Sequence, residues 1–494
     1  MDRLTLGRIA EAVGGRLTDP SSAERPVGPD VVIDSRAATP GALFVAFAGE
    51  NVDGHDYIAK AHASGAAGAL CQRVPDGLPA EAAAGCIIVD DPTKALGRLA
   101  RAILDEHREV VVIGVTGSQG KTSTKDLLAQ ILAGAGPTVA PQGSFNNEIG
   151  VPLTATRVGH GTRHLVSEMG ARGRHHIDYL CSLTPPRIGV VLNVGQAHVG
   201  EFGSREAIAV AKGELVEQVP AEGWAVLNGT DQRVVEMAAR TRGRIALFSG
   251  AGRPGTPADL LVWADDVTAD DLDRHSFTLR IEPLEGGAET APVTLGLVGR
   301  HHVSNAAAAA AAALCAGVPL PAIAEALSAA VPQSRWRMEL RERADGVVVV
   351  NDAYNANPDS MLAACDTLAR MTRRRRTGRP EVRSWAILGQ MFELGEVSAE
   401  EHEAIGRAVG SLQIDHLIAL GADAPAMVAG ARAGGCEHAQ VAADIAEATA
   451  LVRPAPGDIV LVKASRAMGL EKVADALVAQ GAETDRPEAS GDTP

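Results

Sequence analysis

The fold of this chain is decided by residues 110–122, which read VVVIGVTGSQGKT. An apolar run enters a glycine-rich turn and helix-forming residues 126–132 follow, so the pattern predicts a buried strand, a loop and a helix. In such a loop, backbone N–H groups wrap a triphosphate, Lys121 reaches its β and γ phosphates, and the Thr122 hydroxyl holds Mg²⁺. A glycine-rich turn without function is the weaker alternative, because Gly-Lys-Thr directly follows a strand.

The loop departs from the strict phosphate-loop motif at one position. Val115 stands where that motif has a glycine, five residues before Gly120, which indicates a shorter loop. The residues that we expect to contact the nucleotide are Thr116, Gly117, Ser118, Gln119, Gly120, Lys121 and Thr122.

The composition is that of an ordinary globular protein with an excess of acidic residues. Of its 494 residues, 46 % are hydrophobic and 22 % charged, and the length predicts about two to four domains. The net charge of −15 argues against a nucleic-acid partner, so a phosphate-bearing substrate must find positive charge locally. The N-terminus lacks a signal-peptide pattern and no apolar run approaches about 18 residues. We therefore expect a cytoplasmic protein without a membrane span, acting as a monomer.

Three segments follow one another along the chain, and their pattern predicts an α/β protein. Residues 1–108 combine short strands (31–33, 42–47) with helices (58–64, 93–107), whereas 109–330 and 331–482 alternate strands and helices, as mostly parallel sheets require. Ser304 and Asn305 are predicted to cap a helix over the alanines 306–313. The basic run 373–376 is predicted to be a solvated loop and 483–494 a disordered tail. Further predicted strands are 110–115, 164–167, 188–192, 224–227, 346–351, 384–388, 416–420 and 458–463.

Polar side chains follow the predicted strands of the middle segment, where ligands gather in open α/β sheets. Glu168 closes one strand, His198 follows the next, and Asn146 and Asn147 precede them. Glu168 and His198 are candidate Mg²⁺ ligands, although either alone is better explained as a surface acid or a loop histidine. The metal hypothesis gains from the Gly-Lys-Thr loop in the same sheet.

Lys212 shares the apolar stripe of a predicted helix with Ile208, Ala211 and Leu215. A lysine that faces a core needs a partner or a chemical modification. The alternative is a stem that packs while the ammonium reaches water, and the spacing alone favours this alternative.

An amide-rich turn follows the predicted strand 346–351. Asp352 is placed to accept ribose hydroxyls, and Asn355 and Asn357 offer donors and acceptors suited to a zwitterionic peptide. A simple Asx-rich turn is the alternative, which the density of amides at a strand end disfavours.

Taken together, these motifs resemble the Mur ligase family, which builds the peptide stem of peptidoglycan, over almost the whole chain. The Tyr-Asn-Ala-Asn-Pro run is the most specific piece, since it separates the members that add D-alanyl-D-alanine from their relatives. The matching motifs are Asp34-Ser35-Arg36, Gly49-Glu50, Asp53-Gly54-His55, the loop from Thr116 to Thr122, Asn146-Asn147, Glu168-Met169-Gly170, His198 to Glu214, Asp352, Tyr354 to Pro358, Glu393-Leu394-Gly395 and Lys463-Ala464-Ser465-Arg466.

The resemblance implies a three-domain fold and an ATP-dependent ligation. A small mixed α/β domain would bind the UDP-sugar, a central P-loop ATPase-like domain would bind ATP, and a Rossmann-like C-terminal domain would bind D-alanyl-D-alanine. ATP would phosphorylate the free carboxylate of a UDP-N-acetylmuramoyl-tripeptide. The dipeptide amine would then attack the acyl phosphate and expel phosphate, while the protein positions the anions and neutralises their repulsion.

The family's site residues carry over position by position. Asn305 would contact adenine, Arg337 the γ-phosphate and Asp352 the ribose, and a carbamate on Lys212 would turn that lysine into a carboxylate-like anion facing Mg²⁺. The implied catalytic residues are Lys121, Asn147, Glu168, His198, Lys212 and Arg337; the implied Mg²⁺ ligands are Thr122, Glu168, His198 and carbamylated Lys212; the implied substrate-binding residues are Ser35, Arg36, Asn146, Tyr354, Asn355, Asn357, Ser360, Lys463 and Ser465.

The chain also departs from the family's pattern, and two alternative functions stay open, one of the same class and one of another. His302 replaces an asparagine, Gln390 an aspartate and Ala464 a glycine, and residues 174–176 read Arg-His-His in place of Gly-Glu-Ile. Sister ligases, which add another amino acid or join glutamate to folate, would lack the Tyr354 to Pro358 run. From a different class, an ATP-gated binding or scaffold protein would change conformation without forming a bond.

Overall fold

Three large sheets form the body of the protein in the computed structural model, which describes residues 1–49, 52–195 and 204–483. Each sheet draws its strands from one of the three segments seen in the sequence, and the predicted α/β class is confirmed. Along the described residues, every helix is too short or too polar to cross a membrane. Glu50, His198 and residues 484–494 lie outside the described ranges.

The first sheet has five strands and is parallel except at one edge, where Arg16–Leu17 runs antiparallel to its neighbour. The helix Pro92–Glu106 leads from this domain to the next, and its apolar face packs against both sheets. In sheet order the strands are Arg16–Leu17, Cys86–Ile88, Gly68–Cys71, Leu43–Val45 and Val31–Val32, with Leu4–Thr5 paired to Pro26–Val27; the helices are Leu6–Val13, Ile58–Ala63, Ala80–Ala84 and Pro92–Glu106.

The middle sheet has nine strands, and its parallel part carries the phosphate loop. The loop strand Val111–Thr116 lies between Ile188–Val191 and His164–Glu168, so the carboxyl ends of three parallel strands meet at one edge. In sheet order the strands are Thr138–Val139, His164–Glu168, Val111–Thr116, Ile188–Val191, Trp224–Asn228, Arg244–Ser249, Leu260–Ala269, Arg274–Pro283 and Glu289–Val298. The helices of this domain are Lys121–Ala135, Gly150–Ala155, His176–Leu183, Arg205–Glu217, Gln232–Val235, His301–Cys315 and Leu320–Ala329.

The alanine helix (His301–Cys315) packs against the phosphate-loop helix (Lys121–Ala135), because small side chains let the two backbones approach closely. The prediction that Ser304 and Asn305 cap this helix is wrong. The helix begins at His301, directly after the turn at Gly299, whose φ is +107°. Ser304 and Asn305 therefore lie within its first turns, and the side chain of Asn305 is directed at Gly120 of the phosphate loop.

The third sheet has six strands and is parallel except for the edge strand Glu339–Glu342. In sheet order the strands are Glu339–Glu342, Val348–Asp352, Ile459–Lys463, Ser384–Leu388, His416–Ala419 and His438–Val441; the helices are Pro358–Arg376, Ser398–Ser411, Ala424–Ala433, Ile445–Leu451 and Glu471–Glu483.

The prediction of a solvated loop over residues 373–376 is wrong, because these arginines form the last turn of the basic helix (Pro358–Arg376). Cations suit the C-terminal end of a helix, where carbonyl groups concentrate negative charge. Arg375 Nη1 donates to the carbonyls of Gly346 and Gly457 at 3.1 Å each, and Arg376 Nη2 lies 2.7 Å from Asp415 Oδ2. The run is thus tied into the fold by distant partners.

One contact between the middle and third domains also uses the basic helix. Asp273 sits in the turn between two antiparallel strands of the middle sheet and is fully buried. Its carboxylate accepts hydrogen bonds from Arg370 Nη2 at 2.9 Å and from Arg374 Nη1 at 2.5 Å. Leu272 and Val298 beside it join the apolar core of the third domain, so the two domains share part of their packing.

Candidate active site

A cavity of about 440 Å³ lies between the edge of the middle sheet and the start of the basic helix. Both domains contribute its wall, and the cations among the lining residues outnumber the carboxylates. The sequence-predicted residues that line it are Ser118, Gln119, Gly120, Lys121, Thr122, Asn146, Asn147, Glu168, Lys212, Asn305, Arg337, Asp352, Tyr354, Asn355, Asn357, Ser360 and Lys463.

The phosphate loop has the backbone shape that its glycines predict. Gly120 adopts φ +78° and a Cβ there would lie 2.5 Å from Asn305 Oδ1, so both backbone and space require glycine. Asn193, at the end of the neighbouring strand, holds the loop from behind. Its side-chain oxygen accepts from the Gln119 backbone N–H at 2.9 Å, and its carbonyl accepts from Ser118 N–H at 3.1 Å. The phosphate-loop helix begins at Lys121, so its unpaired N–H groups face the cavity.

Lys121 folds back onto this loop, where its Nζ donates to the Gly117 carbonyl at 2.7 Å. Burial lowers the pKa of Lys121, the charge of Glu168 raises it, and the charge of Arg337 lowers it again. A polyphosphate in the cavity would offset the burial and the repulsion together, because it brings negative charge to both cations.

Only one of the two carboxylate oxygens of Glu168 has hydrogen-bond partners among the described residues. It is 1 % exposed, and its Oε1 accepts from Asn146 Nδ2 at 2.8 Å and from Thr122 Oγ1 at 3.2 Å. Its Oε2 is buried and has no hydrogen-bond partner among the described residues. An anionic oxygen left in this way needs a cation, and hard oxygen donors of this kind suit Mg²⁺.

The protein ligands for such an ion are few within residues 1–49, 52–195 and 204–483. No group of three His, Cys, Asp or Glu side chains is placed to hold a metal there. Thr122 and Glu168 offer two oxygens, and Mg²⁺ usually completes its shell with waters and substrate phosphates. The predicted ligand His198 lies outside the described residues.

Lys212 lines the same cavity from the helix Arg205–Glu217 and is 5 % exposed. A lysine whose ammonium reaches open water would be more exposed than this, so the snorkelling alternative does not describe it. Burial holds the pKa of Lys212 well below its usual value, and the charge of Lys121 lowers it further. Both effects favour the uncharged amine, which is the nucleophilic form, over the ammonium.

The third domain closes the opposite side of the cavity with an ion pair and a stacked arginine. Lys463 Nζ donates to Asp352 Oδ2 at 2.6 Å and to the Asn355 carbonyl at 2.8 Å. Arg337 lies over the ring of Tyr354, 4.2 Å from its centroid. The hydroxyl of Tyr354 also forms a hydrogen bond with Ser144 of the middle domain, so this wall touches both domains.

Some expected site residues are used differently or lie elsewhere. The Thr116 hydroxyl donates to the Met169 carbonyl at 2.8 Å and does not line the cavity. Asn147 Oδ1 accepts from the N–H of Gly150, the first residue of a helix, at 2.9 Å. Ser35 and Arg36 lie in the first domain, away from this cavity.

Two of the departures from the family's pattern, at Gln390 and Ala464, have local explanations. Gln390 Nε2 donates to Asp423 Oδ2 at 2.6 Å inside the third domain, and Gln390 does not line the cavity. Ala464 is not among the residues with positive φ, so a side chain there is not strained. His302 and His176 line the cavity, and His176 Nε2 lies 3.3 Å from Glu148 Oε2.

The sequence reasoning left several lining residues unassigned. Ser144, Arg172, His176, Asn193, His301, His302 and Glu393 all line the cavity. Asn193 directly follows the predicted strand 188–192, and Glu393 stands in a motif of the family resemblance, so each had a signal in the sequence. Arg172 and His301 gave none, because only the packed fold brings them to the wall.

The fold and the cavity together define an α/β protein with a phosphate-loop nucleotide site that faces a second, amide-rich wall. Three family models match the chain in order: "Mur ligase family, catalytic domain" over residues 30–103, "Mur ligase middle domain" over 115–313, and "Mur ligase, glutamate ligase domain" over 336–466. The chain belongs to the Mur ligase family.

Named relatives and solved structures match along nearly the full length. A UDP-N-acetylmuramoyl-tripeptide–D-alanyl-D-alanine ligase from Mycobacterium tuberculosis (strain ATCC 25618 / H37Rv) is 44 % identical and the match covers 97 % of this chain and 98 % of the relative. The protein of that name from Escherichia coli (strain K12) is 33 % identical over 97 % of this chain and 100 % of its own.

Among solved structures, MurF from Acinetobacter baumannii superposes with a TM-score of 0.82 at 29 % identity, covering 97 % of this chain and 99 % of that one. MurF ligase from Thermotoga maritima in complex with ADP gives a TM-score of 0.72 at 26 % identity, covering 92 % and 98 %. These matches confirm the three-domain fold that the resemblance implied.

Proposed function

We propose that this protein joins D-alanyl-D-alanine to a UDP-N-acetylmuramoyl-tripeptide, with ATP converted to ADP and phosphate. ATP phosphorylates the free carboxylate of the tripeptide, and the amine of the dipeptide attacks the resulting acyl phosphate. The new C–N bond forms as the C–O bond to phosphate breaks, and the amine gives up a proton. The names of the full-length relatives support this substrate pair, and the ADP complex of a structural relative supports the nucleotide.

The single observation that carries the proposal is the pairing of the phosphate loop with the Tyr354 to Pro358 run across one cavity. Lys121 and the phosphate-loop helix supply positive charge for the transferring phosphate, and Arg337 approaches from the third domain. Little covalent chemistry is asked of the protein, since phosphoryl transfer depends mainly on positioning and on charge neutralisation.

Mg²⁺ and a modified Lys212 complete this site in the proposal. Thr122, Glu168 and His198 would bind the metal, which would neutralise phosphate charge. Lys212 would react as a free amine with CO₂, forming an N–C bond and releasing one proton, to give a carbamate. Its depressed pKa supports this step, because only the unprotonated amine can react.

Three domains share the work in this proposal, with divisions near residues 108 and 330. The first domain binds the UDP-sugar through Ser35 and Arg36, the middle domain binds ATP, and the third binds the dipeptide. Asn305 and Asp352 would contact adenine and ribose. A ribose hydroxyl that binds Asp352 would share its carboxylate with Lys463, whose Nζ already donates to Asp352 Oδ2 at 2.6 Å.

The experiment that tests the proposal is release of ADP and phosphate by the purified protein with Mg²⁺, ATP, UDP-tripeptide and D-alanyl-D-alanine. Turnover should need both peptide substrates and should yield one new peptide bond for each ADP, detected by mass spectrometry. Lys121→Ala should abolish this turnover. ATP hydrolysis at the same rate with and without the dipeptide would instead support the ATP-gated binding protein. Wild-type turnover in the Lys121→Ala variant would reject the role of the phosphate loop.

A further inference from the structure

Residues 212–214 read Lys-Gly-Glu, and the proposed function uses only the lysine of this triplet. The triplet lies in the Lys212 helix (Arg205–Glu217), which shares an apolar cluster with the helix His176–Leu183. Successive residues of an α-helix point about 100° apart, so the three positions face different directions. Lys212 lines the main cavity, and the neighbours of the other two positions show what holds the helix in that orientation.

Glu214 ties the Lys212 helix to the helix His176–Leu183. It is 5 % exposed, its Oε1 accepts from the His175 backbone N–H at 2.6 Å, and its Oε2 accepts from Asp178 N–H at 3.1 Å. Both N–H groups lie at the start of the second helix, where the positive end of the helix dipole favours a carboxylate. Each oxygen of this buried carboxylate thus has a partner, and the two helices are joined at one point.

The same carboxylate stabilises an unfavourable backbone conformation at His175. This residue adopts φ +67°, a left-handed value that is unfavourable for a residue with a Cβ. The hydrogen bond from its N–H to Glu214 is short and charge-assisted, which offsets part of that cost. The next residue, His176, lines the main cavity, as Lys212 does. Glu214 therefore fixes two parts of the cavity wall relative to each other.

Arg240 holds the Lys212 helix on a second side. Its Nη2 donates to the Val210 carbonyl at 2.9 Å, and its Nε donates to Glu217 Oε1 at 2.8 Å. The guanidinium lies so close to the helix that a Cβ on Gly213 would lie 1.8 Å from Arg240 Nη1. The glycine of the triplet therefore makes room for this arginine. With contacts at residues 213 and 214, the helix cannot rotate about its axis without breaking one of them.

We propose that Glu214 and Arg240 are positioning residues that hold Lys212 at the cavity wall in the orientation in which its amine takes up CO₂. This inference rests on the carbamate of the proposed function and adds what directs the modification to this lysine. The amine nitrogen forms a bond to the carbon of CO₂, one C=O π pair moves onto oxygen, and the nitrogen releases a proton. A helix free to rotate would present the amine for a smaller fraction of the time, which lowers the apparent affinity for CO₂ by that fraction.

The test is a titration of the purified protein with ¹³C-labelled bicarbonate at fixed pH and with Mg²⁺, followed through the carbamate signal in ¹³C NMR. The signal that is missing from Lys212→Ala belongs to Lys212. Glu214→Gln keeps the shape of the side chain but replaces one acceptor oxygen by an NH₂ group. The bicarbonate concentration for half-maximal signal should therefore rise about tenfold. Arg240→Gln should shift it in the same direction, and both variants should reach the full signal at saturating bicarbonate.

Glu206→Gln is the matched control, because Glu206 is an exposed acid of the same helix whose ion pair with Arg233 lies at the surface. It should titrate as the wild type.

A Glu214→Gln variant with the wild-type half-saturation overturns the inference, even if its melting temperature falls. A merely structural role would lower the amount of folded protein and not its affinity for CO₂. Should that variant fail to fold, the half-saturation of Arg240→Gln decides in the same way. A wild type without a carbamate on Lys212 also overturns the inference, yet leaves the ligation standing. Absence of any peptide bond with ATP and both peptide substrates would instead reject the proposed ligation, and the titration needs neither ATP nor peptide.

Discussion

The ion pairs of Asp273 allow a sharp test of how the middle and third domains are held together. We choose the change Asp273→Asn, which removes the charge and keeps the shape. Asp273 has φ +58°, and asparagine tolerates this left-handed region well, so the backbone should not move. The two arginines that bind it, Arg370 and Arg374, would then face a neutral amide.

The expected loss follows from burial. Breaking a fully buried ion pair destabilises a protein by about 3–5 kcal/mol. Here Asp273 is fully buried, but Arg370 and Arg374 are 20 % and 34 % exposed and can regain water. The asparagine oxygen can still accept one hydrogen bond, so we expect a smaller loss of about 2 kcal/mol. For a domain of this size class that corresponds to a fall in melting temperature of about 4–8 °C.

The assay is thermal unfolding followed by calorimetry, with Asp271→Asn as the matched control. Asp271 is an exposed acid two residues away in the same turn, so its replacement should change stability by no more than about 0.5 kcal/mol.

Burial raises the pKa of Asp273, but the two arginines outweigh it and hold this pKa below its usual value. A depressed pKa stabilises the fold above the unfolded value and loses this effect as pH falls. The gap between wild type and variant should thus be full at pH 7 and shrink in acid below about pH 4. Equal losses in the Asp273 and Asp271 variants would refute the reasoning.

Three further predictions concern the main cavity. Lys212→Ala should abolish turnover with the fold intact, and wild-type activity lost on removing dissolved CO₂ should return with bicarbonate; near-normal turnover of the variant would reject the carbamate. Gly120→Ala should weaken ATP binding at least about tenfold in a nucleotide titration, because the new Cβ would lie 2.5 Å from Asn305 Oδ1 at a positive φ. Glu168→Gln should raise the Mg²⁺ concentration for half-maximal activity by about 10–100-fold, and an unchanged Mg²⁺ dependence would exclude Glu168 from the metal site.

The local parts of the fold were predictable from the sequence. The phosphate-loop strand and helix follow from an apolar run and a Gly-Lys-Thr turn, and the strand ends at Glu168 and Asp352 lie where the pattern placed them. The antiparallel strands Leu260–Ala269, Arg274–Pro283 and Glu289–Val298 were missed. Buried residues alternate along Arg274–Pro283 at Phe277, Leu279 and Ile281, so a period of two was present in the sequence and was not used.

Long-range partners explain the two wrong predictions. Asn305 looks like a helix cap because its amide can bond to nearby backbone, yet its side chain is directed at Gly120, which is distant in the sequence. The arginines 373–376 look like a solvated run, but each of Arg374, Arg375 and Arg376 meets a carboxylate or carbonyl from another element. In both cases the residue type indicates that the side chain forms polar contacts, but only the fold determines which group it contacts.

The electrostatics of the cavity explain why an acidic protein can gather phosphates there. With a net charge of −15, the chain nevertheless places Lys121, Lys212 and Arg337 around one space. Burial lowers the pKa of both lysines. The charge of Glu168 raises the pKa of Lys121 and that of Arg337 lowers it, while the charge of Lys121 lowers the pKa of Lys212. A carbamate on Lys212 would carry a negative charge, so it would attract the Lys121 ammonium. One modification would thus give Lys121 an anionic partner and place two anions, Glu168 and the carbamate, on the wall of one cavity, which is the arrangement that a divalent cation needs.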